Sequence, residues 1–233
     1  MIEEVKSQVS LLLDKDKSGH GMDHINRVLD LSLRFALDEN ANLEVVSLIA
    51  LLHDVDDYKL FGMDYANHLT NARAIMNYCG FNSDIQKEVC SALRCIGYSK
   101  RLKGFVPSTI EGMVVSDADM CDALGANGIL REYAYCMNHN KPFFDKNDFP
   151  TDEFMKTETG SMCANSSVSH MFEKILKLRG TMLTESGKRE AEIREKIVID
   201  FLYQLFREEN AIEWKNYLDG YLDNRKLVLK KDC

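Results

Sequence analysis

The chain has 233 residues, of which 45% are hydrophobic, and its formal net charge is −8. This length and apolar content suffice for one large domain or two small ones with a sizeable core. The acidic balance argues against a nucleic-acid groove, because proteins that bind a phosphate backbone normally present a basic face. A phosphorylated ligand would therefore need local cations or a bound metal.

No segment is typical of membrane insertion or export. Every apolar run falls short of the roughly 18 residues of a membrane span, and residues 1–10 lack the basic start and apolar core of a signal peptide. We therefore expect a cytoplasmic protein. Seven cysteines without a C-x-x-C motif favour reduced structural thiols over a disulfide or zinc framework.

Apolar residues at three-to-four spacing recur along the chain and predict an all-α fold. No internal repeat or clear linker divides it, so we predict a single domain over residues 1–233, with a core of about 16–208 and a C-terminal helical tail of 209–233. The predicted helices span residues 2–14, 23–38, 42–55, 65–79, 83–96, 110–137, 166–183 and 188–208, with a short one near 211–219.

Two segments lack this periodicity. Residues 97–109 are basic and irregular, and residues 138–164 form a polar stretch with two prolines. Loops of this length inside a domain are often functional, so both are candidate walls or lids for a substrate.

The first cluster of functional side chains opens the second predicted helix. His20 and His24 are four residues apart and share a face if the helix starts early enough, and Arg27 lies one turn beyond His24 on that face. A cation beside a metal-ligating histidine makes sense if an anion must approach the metal. The alternative is a capped helix start with solvated polar residues.

The second cluster is the pair His53-Asp54 at the end of an apolar helix. Such an imidazole and carboxylate have lost much hydration, which makes them good ligands for a divalent cation, although a polar helix end that meets water is the alternative. Asp57 lies at i+4 from His53, where a carboxylate that is not a ligand would act as general acid or base for a water. We expect Asp56 to face solvent.

The third cluster places Asp117, Asp119 and Asp122 in an apolar helix. Three carboxylates are costly to bury together unless a cation relieves their repulsion. Asp119 and Asp122 are one turn apart and share a face, whereas Asp117 points elsewhere and suits a helix N-terminus. We therefore expect one of the three aspartates to ligate the metal and one or two to support that ligand by hydrogen bonds.

Together these clusters resemble the HD superfamily of metal-dependent phosphohydrolases, whose pattern H…HD…D is matched by His24, His53-Asp54 and Asp119. The resemblance is closest to the bacterial YpgQ-like and YedJ-like branch and covers about residues 16–208. The segments similar to the motifs of that branch are residues 20–28, 50–55, 117–125 and 166–192.

The resemblance implies an α-helical HD bundle with one divalent metal, Mn²⁺ or Mg²⁺ before Fe, Co or Ni, held by His24, His53, Asp54 and Asp119. His68 is the only histidine between the HD pair and Asp117, which disfavours the dinuclear members of the superfamily. Asp57 matches the position of a catalytic acid in related phosphohydrolases. We therefore expect Asp57 to orient the attacking water, with Asp54 as the second catalytic residue.

Five side chains are candidates for contacts with the substrate. Lys100 occupies the position of a basic element of the branch, and Lys174 lies four residues after His170, which is either a pocket residue or a core histidine. Three aromatic residues could form a base-stacking wall, with a core position as the alternative: Tyr98, Tyr133 and Phe144. The candidate substrate-binding residues are Arg27, Lys100, Lys174, His170 and His20.

The branch implies a nucleoside triphosphate pyrophosphohydrolase, which releases a monophosphate and pyrophosphate. The alternatives are a 5′-nucleotidase and a weakly catalytic regulator that binds metal and nucleotide, since Gly21 and Met120-Cys121 depart from the branch pattern. The expected partner is a small phosphorylated molecule, with neither nucleic acid nor membrane, and a homodimer is left open.

Overall fold

The computed structural model describes residues 1–14, 21–150 and 166–229, with side chains up to residue 225. Regular structure in these ranges is entirely helical, which confirms the all-α class. The first half contains α1 (Ile2–Leu13), α2 (Met22–Asp38), α3 (Leu43–Leu52), α4 (Tyr58–Phe61), α5 (Met63–His68), α6 (Thr70–Tyr78) and α7 (Ser83–Leu93). The second half contains α8 (Tyr98–Leu102), α9 (Ile110–Asp122), α10 (Gly125–Asn138), α11 (Ser167–Glu173), a 3₁₀-helix (Ile175–Thr181), α12 (Glu185–Glu208) and α13 (Ile212–Leu229). Among the described helices, none has both the length and the apolar character of a membrane span.

Three predicted helices are each two elements in the structure. The predicted helix 65–79 is divided into α5 and α6 at Leu69, which has φ 52°. The predicted helix 110–137 breaks after Asp122 because Gly125 adopts a left-handed conformation with φ 72°, which changes the direction of the chain between α9 and α10. The predicted helix 166–183 changes at Lys174 from α11 to the 3₁₀-helix. The irregular segment 97–109 contains the short helix α8, and the tail helix α13 is longer than expected.

The centre of the fold is α3, whose residues 45–52 are all buried. A helix that is apolar on every side needs neighbours all round, and α2, α9, α1 and α7 supply them. The other face of α9 packs against α12, which also contacts α10. The polar end of α3 therefore emerges between α2 and α9, the two helices that carry the other candidate ligands.

The segment beyond α12 packs onto the rest of the chain through aromatic side chains. Trp214 of α13 is buried and its ring contacts Phe149, Phe172 and Phe206. Phe144 joins the same cluster, with ring centroids 5.3 Å from Trp214 and 5.6 Å from Phe206. Phe144 is therefore a core aromatic and not part of a base-stacking wall.

Asp117 connects α9 to the start of α12. Its side chain is fully buried, accepts hydrogen bonds from the backbone N–H groups of Leu183 and Thr184 and accepts a third from the Thr184 hydroxyl. Thr184 in turn caps α12 by accepting from the N–H of Gly187. A Cβ at position 187 would lie 2.3 Å from Asp117 Oδ2, so only glycine allows this approach.

We expect Gly187→Ala to destabilise the protein by about 2–4 kcal/mol, because the added methyl displaces a fully hydrogen-bonded carboxylate. The matched control is Gly220→Ala in α13, where a Cβ meets nothing within 4 Å and where alanine favours the helix by about 0.5–1 kcal/mol. Urea unfolding followed by circular dichroism measures both. Equal stability of the two variants would contradict this account of Asp117.

Candidate metal centre

Four side chains from three helices meet at the end of α3. His24 comes from α2, His53 and Asp54 follow the last turn of α3, and Asp119 comes from α9. The Nε2 atoms of the two histidines are 3.1 Å apart. Asp54 Oδ2 lies 3.5 Å from each Nε2, and Asp119 Oδ1 lies 3.5 Å from that of His24 and 3.9 Å from that of His53. The four residues predicted as metal ligands are therefore neighbours.

Hydrogen bonds on the far side of each ring fix which nitrogen faces the cluster. His53 Nδ1 lies 2.7 Å from the carbonyl oxygen of Ala50, which can only accept, so this nitrogen carries the proton. His24 Nδ1 lies 2.7 Å from Asp122 Oδ2 and donates in the same way. In the neutral rings both Nε2 lone pairs therefore point at each other and at two carboxylates.

This donor set fits a divalent cation. Two imidazole lone pairs and two carboxylate oxygens repel one another at these distances unless a positive charge lies between them. Burial lowers the pKa of His24, but its hydrogen bonds to Asp119 and Asp122 outweigh burial and raise that pKa to about 9. The pocket thus binds positive charge strongly, as a proton or as a metal ion that displaces it.

Asp122 supports the cluster from behind. Its carboxylate is 2% exposed and accepts from His24 Nδ1, from Arg27 Nε at 2.7 Å and Nη2 at 3.0 Å, and from Arg131 Nη1 at 2.8 Å. Burial raises the pKa of Asp122, yet His24 and Arg27 hold it well below its usual range. Arg27, predicted to bind substrate, is therefore engaged with this carboxylate by two hydrogen bonds.

Asp57 and Lys100 are two further charged residues near the cluster. Asp57 is half-buried and caps α4 by accepting from the N–H of Lys59 at 2.8 Å. Burial lowers the pKa of Lys100, and the nearby carboxylates of Asp57, Asp54 and Asp119 oppose this shift. Lys100 Nζ donates to the carbonyl oxygen of Leu93 at 2.9 Å. The lysine of the basic segment therefore reaches the charged centre.

A second group of charges comes from α10 and α11. Glu132 accepts a hydrogen bond from His170 Nδ1 at 3.0 Å, and its own pKa, raised by burial, is brought below its ordinary value by the charges of His170 and Lys174. Lys174 Nζ lies 5.3 Å from the ring centroid of Tyr98, which is buried and thus a core residue. Burial lowers the pKa of Lys174, while Glu132 and Asp119 raise it.

Three further residues can be compared with their predicted positions. Asp56 was expected to face solvent, but it is 5% exposed and accepts from the N–H groups of Asn71 and Ala72, where it holds the start of α6. This expectation was wrong, because the chain turns back over Asp56 after α5. His68 is exposed. His20 lies outside the described residues.

Arg131 and Glu132 are the charged residues near the centre that sequence patterns did not indicate. Both follow the turn at Gly125, and only this turn brings the first half of α10 back towards Asp122 and α11. In an unbroken helix they would lie more than two turns beyond Asp122. In the sequence, the glycine that follows Ala123-Leu124 was the one sign that the helix breaks at this point.

Comparison with known proteins identifies the family. The HD domain family matches residues 21–124. A protein of known crystal structure from Lactobacillus plantarum is 30% identical, with a TM-score of 0.77, over 90% of this chain and 97% of that one. An HD-superfamily hydrolase from Bacillus thuringiensis is also 30% identical, with a TM-score of 0.70 and the same coverage. The chain belongs to the HD superfamily.

The YpgQ-like branch is also represented. YpgQ from Bacillus subtilis is 27% identical over 212 residues, which is 91% of this chain and 95% of YpgQ. A crystal structure of YpgQ in complex with ADP has a TM-score of 0.66 at 25% identity and covers 89% of this chain and 94% of that one. These findings confirm the resemblance drawn from the motifs. The HD protein is accordingly a metal-dependent phosphohydrolase.

We expect Asp122→Asn to weaken Mn²⁺ binding about 10- to 100-fold, because an amide of the same size no longer fixes the proton on His24 Nδ1. Isothermal titration calorimetry on the folded apoprotein measures the affinity. Asp30→Asn, an exposed position on the same helix as His24, is the charge-matched control and should bind Mn²⁺ like wild type. Wild-type affinity in the folded Asp122 variant would show that His24 needs no such support.

Proposed function

We propose that this HD protein hydrolyses nucleotides, and that its main reaction converts nucleoside triphosphates, ribo- or deoxyribo-, to monophosphate and pyrophosphate. The observation that carries the proposal is the convergence of four candidate ligands with two lysines whose pKa values respond to the carboxylates of the same cluster. The complex of the relative YpgQ with ADP supports a nucleotide as substrate.

His24, His53, Asp54 and Asp119 would hold the metal. When bound, a divalent ion would act as a Lewis acid on a phosphoryl oxygen and lower the pKa of water. Two imidazoles beside two carboxylates suit Mn²⁺ better than Mg²⁺, which prefers oxygen ligands alone, and Fe, Co and Ni share this preference for nitrogen. We therefore propose Mn²⁺ as the resident metal, with Mg²⁺, Fe, Co and Ni as alternatives.

Asp57 is the proposed general base. It is a half-buried carboxylate three residues beyond Asp54, and its backbone position is set by the cap that it forms on α4. Its side chain would accept the proton of the attacking water and hold that water in line with the phosphorus. Asp54 would assist from the cluster, where its Oδ2 lies 3.5 Å from both histidines.

The two lysines would bind the phosphate chain from different elements. Lys100 extends from α8 and uses one of its three N–H donors on Leu93, and Lys174 follows α11 beside Glu132. Two cations on separate elements suit a polyphosphate that spans them, whereas a monophosphate needs fewer. His170, held by Glu132, would line the same side, and Arg27 would act mainly through Asp122.

A nucleotide panel tests the function. The purified protein is assayed with Mn²⁺, Mg²⁺, Co²⁺, Ni²⁺ or Fe²⁺ against ribo- and deoxyribonucleoside triphosphates and 5′-monophosphates, and pyrophosphate and phosphate are measured separately. We expect pyrophosphate from triphosphates, abolished in His53→Ala and Asp54→Ala. Phosphate from monophosphates would instead identify a 5′-nucleotidase. Tight nucleotide binding with no product under any metal would identify a regulator and reject the hydrolase.

We expect Asp57→Asn to lower kcat about 10²- to 10⁴-fold, since the amide cannot accept a proton from water. Mn²⁺ affinity and KM should stay near wild type, because Asp57 is not a proposed ligand of either the metal or the phosphates. The exposed Asp64→Asn, on the neighbouring helix α5, controls for loss of one negative charge. A kcat within about threefold of wild type would exclude Asp57 as the base.

A further inference from the structure

The guanidinium of Arg101 is the attachment point of α8. Its side chain is 7% exposed and enters a gap between α9 and the residues that precede α12. It donates to the hydroxyl of Ser116 on α9 and to the carbonyl and hydroxyl of Thr181. Its Nη1 also lies 3.5 Å from Asp117 Oδ1. One side chain therefore ties α8 to two separate parts of the fold.

The partner of Arg101 is itself held by several hydrogen bonds. Asp117 is fully buried and receives three donors from Leu183 and Thr184 besides the arginine. An arginine fork that meets a fixed carboxylate, a hydroxyl and a carbonyl has a unique orientation, which a lysine could not reproduce. This contact therefore fixes the orientation of the Arg101 side chain between α8 and α9.

α8 carries Lys100, whose ammonium interacts with the carboxylates of the centre, and Tyr98, whose ring lies beside Lys174. Lys100 is the residue immediately before Arg101, and Tyr98 places its buried ring 5.3 Å from Lys174 Nζ. The helix has only five residues, so it has little internal stability and depends on its side chains for its position. A shift of α8 would move Lys100 directly and Lys174 through the ring beneath it.

We propose that Arg101 is a positioning residue for substrate affinity: its contacts with Ser116, Asp117 and Thr181 hold α8 so that Lys100 faces the metal centre. The proposal rests on the proposed function, in which Lys100 binds the phosphate chain. Arg101 touches none of the four candidate metal ligands in the described contacts, so it should affect the substrate and leave the metal alone.

A double-mutant cycle on the full chain with Mn²⁺ tests this role. Arg101→Lys keeps the charge and loses the fork, so KM for a triphosphate should rise about five- to tenfold while kcat changes less than about threefold. In a Lys100→Ala background the same change should alter KM less than about twofold, because the lysine that Arg101 positions is gone. Mn²⁺ affinity from calorimetry should equal that of wild type throughout.

Lys103→Gln is the matched control, since Lys103 is exposed, lies two residues further along and belongs to the same basic segment. Its KM should remain at the wild-type value. An Arg101→Lys effect of equal size with and without Lys100 would overturn the proposal, as would an unchanged KM. If Arg101→Lys fails to fold, Ser116→Ala removes one acceptor but keeps the ion pair, and should raise KM by a smaller factor in the same direction.

A readout without turnover separates this proposal from the proposed function. Lysines of the unliganded protein are labelled with an amine-reactive ester and quantified one by one by mass spectrometry. Arg101→Lys should raise the labelling rate of Lys100 severalfold relative to Lys59, because α8 is released. An unchanged rate overturns the positioning role. A raised rate in a protein that hydrolyses no nucleotide upholds that role and rejects the proposed function.

Discussion

Two imidazole nitrogens that face each other at 3.1 Å are the constraint on which the centre depends. Packing forces this approach, because the buried helix α3 ends where α2 and α9 cross it, and its next residue is His53. The side chains cannot retreat into the apolar interior without losing their hydrogen bonds. A site that is costly without a cation and stable with one is the thermodynamic definition of a metal site.

The charges around this centre explain how an acidic protein can accept a phosphorylated substrate. The net charge of −8 would repel a nucleotide at long range, yet four cations lie on or near the cluster. Two of them, Arg27 and Arg131, neutralise the buried Asp122. In the proposed function, Lys100 and Lys174 bind the substrate together with the metal. The arginines therefore support the ligand set, and in our proposal the lysines bind the phosphates.

Sequence patterns predicted the features that depend on residues close together in the chain, namely the helices and the candidate ligands. The candidate ligands lie within short motifs at helical spacing, and three-to-four periodicity identified most helices, because both signals come from one face of one helix. The features that the sequence did not predict correctly depend on contacts between segments that are far apart in the chain. Asp56 is buried because residues 71 and 72 return to it, and Arg131 reaches Asp122 only because Gly125 turns the chain. Neither of these long-range contacts produces a periodic pattern in the sequence.

The helix α9 uses its two sides for different purposes. Asp117 and Asp119 are two residues apart, which is about 200° around a helix, so their carboxylates point in nearly opposite directions. Asp119 faces the histidines, and Asp117 faces Arg101 and the start of α12. Because a packed helix moves as a rigid body, the distance between the metal ligands and the anchor of α8 is fixed by the helix itself. Under the proposals above, metal binding and phosphate binding vary independently through side chains on opposite faces, while α9 keeps the two sites in register.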